Sequence, residues 1–167
     1  MKVKDIMKRH VQVCTPDNDL AAVAMIMLKN DCGMLPVMKY DCEVVGVITD
    51  RDICLAVATT HRLPSDIRVS EVFSANLYAC DPQENVRDAL EIMRAQKVRR
   101  LPVISANGTL QGVISMTDVV MHAEGDRGFK MSEWSYEDVV DTLQDVCASY
   151  ARTKCILMPQ PTGGPYA

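Results

Sequence analysis

The chain has 167 residues, of which 48% are hydrophobic and 24% charged, and these near-average values exclude a disordered or fibrous protein. Eighteen lysines and arginines against 22 acidic residues give a formal net charge of −4, so no overall positive field attracts nucleic acid. No apolar stretch reaches the length of about 20 residues that a membrane span needs, and the first residues lack the apolar segment of a secretory signal. We therefore expect a cytoplasmic protein that has neither a membrane nor a nucleic acid as partner.

The cysteines argue against a metal or redox centre. They are odd in number, no two of them are separated by only two residues, and the histidines at positions 10, 61 and 122 stand apart from them. A zinc ribbon or a CxxC motif needs closer spacing. We expect reduced thiols that are buried as small hydrophobic side chains, with a redox role for an exposed thiol as the alternative. The seven are Cys14, Cys32, Cys42, Cys54, Cys80, Cys147 and Cys155.

A repeat with one constant offset dominates the sequence. Leu35-Pro36-Val37 returns as Leu101-Pro102-Val103, and Gly46-Val47-Ile48-Thr49 returns as Gly112-Val113-Ile114-Ser115. The same offset relates Cys14 to Cys80, Pro16 to Pro82, and Asp52 to Asp118. A single offset over the whole unit indicates two copies of one structural unit with no insertion between them.

Each copy predicts the same elements in chain order. A short amphipathic turn (Val3, Ile6 and Met7 in the first copy) leads to an extended piece, because the residue before Pro16 or Pro82 favours extended backbone. Apolar residues at helical spacing over 20–27 and 86–93 predict a helix. A strand at 35–40, a return strand at 44–49 or 110–115, and a second helix from 50 or 116 follow. Each copy alone is marginal in size, so we expect the two to pack together.

The duplicated unit resembles the cystathionine-β-synthase (CBS) domain, and a tandem pair of such domains is a Bateman module. The resemblance rests on the Leu-Pro-Val and Gly-Val-Ile-Thr segments with the aspartate three residues on, and it covers residues 2–121. It implies an α+β (α/β-like) fold of two β-α-β-β-α repeats with pseudo-twofold symmetry, repeat 1 at 1–60 and repeat 2 at 61–125. It also implies two clefts that bind adenosine-containing ligands, and a homodimer that regulates a partner.

The residues at the end of the return strand suit a nucleotide. A helix that begins after Thr49 or Ser115 presents free backbone N–H groups, and the hydroxyl can donate to a phosphate. Asp52 or Asp118 lies one turn further on and can accept hydrogen bonds from ribose hydroxyls. The alternative is that these side chains only cap the helices, but their repetition at one spacing favours the ligand role.

The resemblance implies that each cleft joins the carboxylate of one repeat to the segment before Leu-Pro in the other. Site B then consists of Thr49, Arg51, Asp52, Cys80, Val98, Arg99 and Arg100. Site A consists of Ser115, Thr117, Asp118, Cys14, Thr15, Cys32, Gly33 and Met34. Only site B has the guanidinium pair of Arg99 and Arg100, whose geometry suits phosphates, unless the two form a solvated surface pair. Site A would hold an adenosine with less phosphate charge, or nothing.

Residues 126–167 lie outside the repeat. The segment from Ser135 to Asp138 is typical of a helix start, and an apolar stripe follows at helical spacing. We expect this amphipathic helix to pack on the module, on a second subunit or on an effector. The stripe comprises Val139, Val140, Leu143, Val146, Cys147 and Tyr150. Prolines and glycines at 158–167 predict a disordered tail.

These observations favour a stand-alone regulatory module that binds AMP, ADP or ATP between its repeats and transmits energy or metabolite status to an effector protein. The identity of the adenosine compound stays open, since S-adenosylmethionine and dinucleotides are alternatives, and so does the presence of Mg²⁺ with the phosphates. No catalytic cofactor is expected. The alternative is a structural or oligomerisation module with vestigial clefts that acts through its C-terminal helix. We do not expect an enzyme, because neither a cysteine nor the aspartate pair has a histidine base at a recognisable spacing.

Overall fold

Two antiparallel hairpins, one from each copy of the repeat, organise the fold. The computed structural model describes residues 1–40, 42–122 and 136–151. The helices are α1 (Val3–Ile6), α2 (Leu20–Lys29), α3 (Asp50–Thr60), α4 (Val86–Gln96), α5 (Met116–His122) and α6 (Tyr136–Ala151). The strands are β1 (Met34–Met38), β2 (Val44–Thr49), β3 (Arg100–Ile104) and β4 (Leu110–Ser115). The predicted α+β class and the order of helices and hairpins are confirmed.

The two hairpins have the same register. Leu35 faces Ile48 in the first and Leu101 faces Ile114 in the second, and both registers shift near the end of the first strand. All four of these side chains are fully buried. The extended piece before each proline is shorter than the predicted strand, because it makes only one parallel bridge to its hairpin. Equivalent positions of the two copies therefore have equivalent backbone roles.

The opening segment of each copy packs into the core of the other copy. Val3 of α1 is fully buried among α4, β3 and β4 of repeat 2, and its N–H donates to the carbonyl of Glu84 over 3.0 Å. Ile67 and Val69, which precede the first helix of repeat 2, lie instead in the core of repeat 1. There the N–H of Leu20 donates to the carbonyl of Ile67 over 3.0 Å. The boundary between the copies in sequence is thus not the boundary between the two cores.

The same exchange adds a crossing segment to the open edge of each hairpin. Lys8 bridges Val113 of β4, and Ser74, the equivalent residue of the second copy, bridges Val47 of β2. The crossing backbone passes so close that a methyl group on Gly46 would lie 2.2 Å from the carbonyl oxygen of Ser74. A methyl group on Gly112 would lie 2.3 Å from that of Lys8. Glycine is required at both positions because the chain itself occupies the space.

Helix α6 packs on α4 and α5 of repeat 2 through Val139 and Val146, both buried. Asp138 pairs with Arg87 over 3.2 Å, and Asp145 pairs with Arg94. The predicted stripe is wrong for Val140 and Cys147, which are exposed because they lie on the outer side of the helix. Ser135, the side chain of Tyr150 and the predicted tail at 158–167 lie outside the described residues.

The described cysteines fall into three classes, with Cys32 partly buried between the buried and the exposed ones. Cys14 and Cys80 are buried against β1 and β3, and burial raises the pKa of each thiol to about 12. The expectation of burial is wrong for Cys42, Cys54 and Cys147, which are exposed. Cys42 lies in the β1–β2 turn, and the other two lie on outer helix faces. Cys155 lies outside the described residues.

The left-handed turn positions of the two hairpins predict opposite effects of substitution. Gly108 has a φ of +84°, and its equivalent in the first hairpin, Cys42, has a φ of 66°. A side chain in this conformation costs about 1 kcal/mol. Cys42→Gly should therefore raise the free energy of unfolding by about 0.5 to 1 kcal/mol, and Gly108→Ala should lower it by about 1 kcal/mol. Urea denaturation measures both changes. Cys42→Ala, which keeps the strain but removes the thiol, is the control, and stabilisation by this variant would contradict the strain argument.

The burial classes also predict thiol reactivity. At pH 8 a pKa of about 12 leaves Cys14 and Cys80 with on the order of a thousandfold less thiolate than an ordinary cysteine has. Iodoacetamide should alkylate Cys42, Cys54 and Cys147 within minutes and leave the two buried thiols unmodified, as followed by peptide mass spectrometry. Protein labelled in urea supplies the fully modified reference. Equally fast labelling of a buried thiol in native protein would refute the packing described.

Candidate functional site

Two cavities lie at the seam between the repeats, where sites A and B were predicted. The cavity at site B has a volume of about 230 Å³, and the cavity at site A has a volume of about 390 Å³. Each is lined by the start of a helix from one repeat and by the segment before Leu-Pro of the other repeat. The crossing segments at Ser74 and Lys8 complete one wall of each.

Six of the seven residues predicted for site B line its cavity: Thr49, Arg51, Asp52, Val98, Arg99 and Arg100. Cys80 does not, because its backbone pairs with Val103 and its thiol is buried in the core. The cavity also includes Asp50, Asn76, Tyr78 and Lys97. Asn76 and Tyr78 could not be assigned from the sequence, because they lie on the crossing segment and only its path brings them to the cavity.

Six of the eight residues predicted for site A line its cavity: Ser115, Thr117, Asp118, Cys32, Gly33 and Met34. Cys14 is buried beside Val37, and the Thr15 N–H donates to the side chain of Asn18 over 2.8 Å instead. The cavity also includes Lys8 and His10 of the other crossing segment. They are equivalent to Ser74 and Asn76 under the offset of the repeat, and like these they were not identified from the sequence, because only the path of the crossing segment brings them to the cavity.

A capping box fixes the carboxylate of each site. The Thr49 N–H and hydroxyl both donate to Asp52 Oδ2, over 2.9 and 2.7 Å, and the Asp52 N–H donates back to Thr49 Oγ1 over 3.2 Å. Ser115 and Asp118 repeat the three bonds at 2.9, 2.5 and 3.3 Å. The cap therefore uses one carboxylate oxygen. Among the described residues no hydrogen bond reaches the other oxygen, Oδ1, of either aspartate.

The expected anion site at the start of α3 is already occupied by the chain itself. The Asp50 N–H donates to the Gly33 carbonyl over 3.4 Å, and the Arg51 N–H donates to the Asp50 carboxylate over 2.7 Å. The N–H of Asp52 is held by the cap. A phosphate at site B therefore depends on cationic side chains rather than on backbone amides.

The charges of the two cavities differ. Site B has the cations Arg51, Lys97, Arg99 and Arg100 against the carboxylates of Asp50 and Asp52. Site A has Lys8 and Arg100 beside His10, against Asp31 and Asp118. Only the cavity at site B is lined by both Arg99 and Arg100, but Arg100 lines the cavity at site A as well. Within the described part of the chain, neither Arg99 nor Arg100 pairs with a carboxylate.

The Cys32 thiol at site A stays protonated near neutral pH. Burial raises its pKa, and this outweighs the opposite effects of the Met34 N–H and of the Arg100 and Lys8 charges. A protonated thiol is a weak nucleophile. Within residues 1–40, 42–122 and 136–151, no group of three or more His, Cys, Asp or Glu side chains is placed to hold a metal ion. In the same residues no helix has the length and apolar character of a membrane span.

Comparison with known proteins decides the family. The CBS domain family matches twice, at residues 3–59 and 69–125, which together are well over half of the chain. The chain belongs to the CBS domain family. Its tandem domains account for both cavities, since each cavity is lined by residues of both CBS domains.

Individual relatives agree with this assignment. The CBS domain-containing protein YhcV of Bacillus subtilis is 31% identical over 120 residues, 72% of this chain and 84% of the relative. The structure of Hypoxic Response Protein I with two coordinated zinc ions is 29% identical, with a TM-score of 0.67 over 74% of this chain and 100% of that one. The CBS domain pair of protein MJ0100, in complex with 5′-methylthioadenosine and S-adenosyl-L-methionine, is 21% identical. Its TM-score is 0.67, over 72% of this chain and 94% of that one.

The capping box at site B predicts the stability effect of one hydroxyl. Thr49→Ala removes the oxygen that caps α3 and should lower the free energy of unfolding by about 1 kcal/mol, a typical loss for an N-cap. Thr59→Ala on the same helix is the matched control. Its hydroxyl donates to the carbonyl of Leu55 over 2.8 Å on the exposed surface, and its loss should cost less than about 0.5 kcal/mol. Urea denaturation compares the two, and equal effects would show that the cap contributes nothing.

Proposed function

We propose that the protein is a regulatory module that binds AMP, ADP or ATP at sites A and B. One observation carries the proposal: each cavity places a capped aspartate, with one carboxylate oxygen outside the cap, beside cationic side chains that include at least one from the other repeat. The carboxylate and the cations match the two polar ends of a nucleotide, namely the ribose hydroxyls and the phosphates.

At site B the proposed contacts follow from the positions of the side chains. Oδ1 of Asp52 would accept hydrogen bonds from the ribose hydroxyls while Oδ2 stays in the cap. The guanidinium of Arg99, which is exposed and makes no ion pair with a described residue, would bind phosphate. Val98 and the Tyr78 ring supply apolar walls for the adenine. Transfer of the phosphate from water into the cavity costs desolvation free energy, and these charge-assisted hydrogen bonds offset it.

The complex of MJ0100 supports the choice of an adenosine compound. A CBS pair of this fold holds 5′-methylthioadenosine and S-adenosyl-L-methionine, so the fold can accommodate adenosine. Those two compounds carry no phosphate, whereas the sites of this chain are rich in arginine and lysine. We therefore favour a phosphorylated adenosine.

Regulation follows from the position of the ligand at the seam. Because each cavity is lined by both repeats, a bound nucleotide contacts both and favours the arrangement of repeats that it fits best. An effector protein that distinguishes the arrangements would then respond to the nucleotide level. The Cys32 thiol at site A is a weak nucleophile near neutral pH, because burial raises its pKa and keeps it protonated.

A homodimer is part of the same proposal. Exposed apolar side chains cluster on α2 and α3 of repeat 1: Met25 is 48% exposed, Leu28 75% and Leu55 49%. In repeat 2 the corresponding helices contact α6 instead. That packing weakens the alternative of a module acting through its C-terminal helix, since the buried face of α6 is used within the chain. A cytoplasmic location and Mg²⁺ with the phosphates stay predictions.

Nucleotide binding is tested by thermal denaturation with and without ADP. A ligand at 100 times its dissociation constant stabilises the fold by about 2.7 kcal/mol, which for a chain of this size raises the melting temperature by about 5 to 10 °C. Asp52→Asn keeps an oxygen for the cap but replaces the free oxygen by an amide donor, and Arg99→Ala removes a phosphate ligand. We expect each variant to weaken binding at site B by tenfold or more.

Arg87→Ala is the matched control for Arg99→Ala. It also replaces an arginine by alanine, but Arg87 lies on α4, outside both cavities. Its melting temperature should respond to ADP as strongly as that of the wild type. The proposal fails if AMP, ADP and ATP all leave the wild-type melting temperature unchanged.

A further inference from the structure

Arg100 lies on the boundary between the two sites. It lines both cavities, and so does Met34, the residue at the equivalent position of repeat 1. The seam therefore has one cationic and one apolar side chain at the two equivalent positions. The backbone does not require this difference between the copies, because both residues begin strands of identical register.

The guanidinium of Arg100 is within reach of both cavities. A methyl group on Gly33, which lines site A, would lie 3.4 Å from its Nη2. The same methyl group would lie 2.7 Å from Oδ2 of Asp50, which lines site B. The Arg100 charge also lowers the pKa of Cys32, a residue of site A, although burial has the larger and opposite effect.

This guanidinium is available to a ligand. Arg100 makes no ion pair with any described residue, and its side chain is half-buried beside the cavities. A guanidinium has five donors in a fixed planar fork and binds a phosphate best through two of them at once. A single fork that turns toward one phosphate leaves the other cavity with one cation fewer. Two phosphates, one on each side of the seam, also repel each other. Salt screens this repulsion poorly when the charges are partly buried.

We propose that Arg100 is shared by sites A and B, so that a phosphorylated ligand in one site weakens the binding of a second in the other. The inference rests on the proposed function and adds a coupling between the two sites. The coupling is reciprocal, because each ligand must change the affinity for the other by the same factor. The module would then respond over a wider range of nucleotide concentration than two independent sites do.

The test measures ADP binding to the full chain by isothermal titration calorimetry. It compares the two stepwise dissociation constants of the wild type with the dissociation constant of each site measured alone. Thr117→Trp fills site A and Asn76→Trp fills site B, and both positions are exposed, so the indole needs no repacking of the core. Each variant gives the dissociation constant of the remaining site alone. We expect the product of the two wild-type stepwise constants to exceed the product of these single-site constants by at least tenfold.

Arg100→Met, which copies the residue at position 34, should abolish this excess when the same three titrations are repeated in its background. Arg99→Met removes an equal charge that lines site B alone, so it should weaken site B but preserve the excess. Circular dichroism and melting curves establish that each variant is folded.

Each outcome decides one question. An excess that vanishes with Arg100→Met and survives Arg99→Met supports the proposal. The proposal is also supported if the wild type binds only one ADP, while each tryptophan variant still binds one ADP at its remaining site. A ratio near one in the wild type, or an excess that survives Arg100→Met, overturns the shared arginine while nucleotide binding stands. The absence of any ADP binding to the wild type overturns the proposed function and the coupling with it.

Discussion

The exchange of opening segments between the two repeats is the interaction on which the rest of the structure depends. Val3 fills the core of repeat 2, whereas Ile67 and Val69 fill the core of repeat 1, and all three are almost fully buried. Burial of such side chains contributes about 1.5 to 3 kcal/mol each. Neither repeat could close its core without the segment that the other provides, so the two fold as one unit.

The exchange also creates the seam at which the sites lie. To reach the other repeat, each crossing segment passes along the edge of a hairpin, and the glycines at positions 46 and 112 admit its backbone. The residues that follow then become cavity walls: Lys8 and His10 at site A, and Asn76 and Tyr78 at site B. A ligand in either cavity would consequently contact both repeats, as the proposed regulation requires.

The two copies have the same backbone structure but different side chains at several equivalent positions. The capping boxes make the same three hydrogen bonds at nearly the same lengths, because they hold the start of each second helix. The side chains around them differ between the copies. At three equivalent positions the residue type changes from repeat 1 to repeat 2. At the seam an apolar residue becomes a cation, and at the start of the second helix a carboxylate becomes an apolar residue. On the first helix a leucine becomes the arginine that pairs with α6. The pairs are Met34 with Arg100, Asp50 with Met116, and Leu28 with Arg94.

The sequence by itself determined the features that depend on neighbouring residues. The constant offset of the repeat located both hairpins, the strands at 44–49 and 110–115 have their predicted bounds, and the second helices begin at Asp50 and Met116 as expected. The hydroxyl and the aspartate one helical turn further on indicated one wall of each cavity, whereas the segment before Leu-Pro was predicted from the resemblance to the CBS domain.

Only the tertiary structure decided which core each segment enters and what each side chain meets there. The amphipathic pattern of Val3, Ile6 and Met7 shows that Val3 lies on an apolar face, but it does not show which surface covers that face. For this reason Cys14 and Cys80, expected at the sites, are buried in the cores, whereas Lys8 and Tyr78 line the cavities unexpectedly. The position of Arg100 between the two cavities likewise follows from the packing of the repeats, which no local pattern specifies.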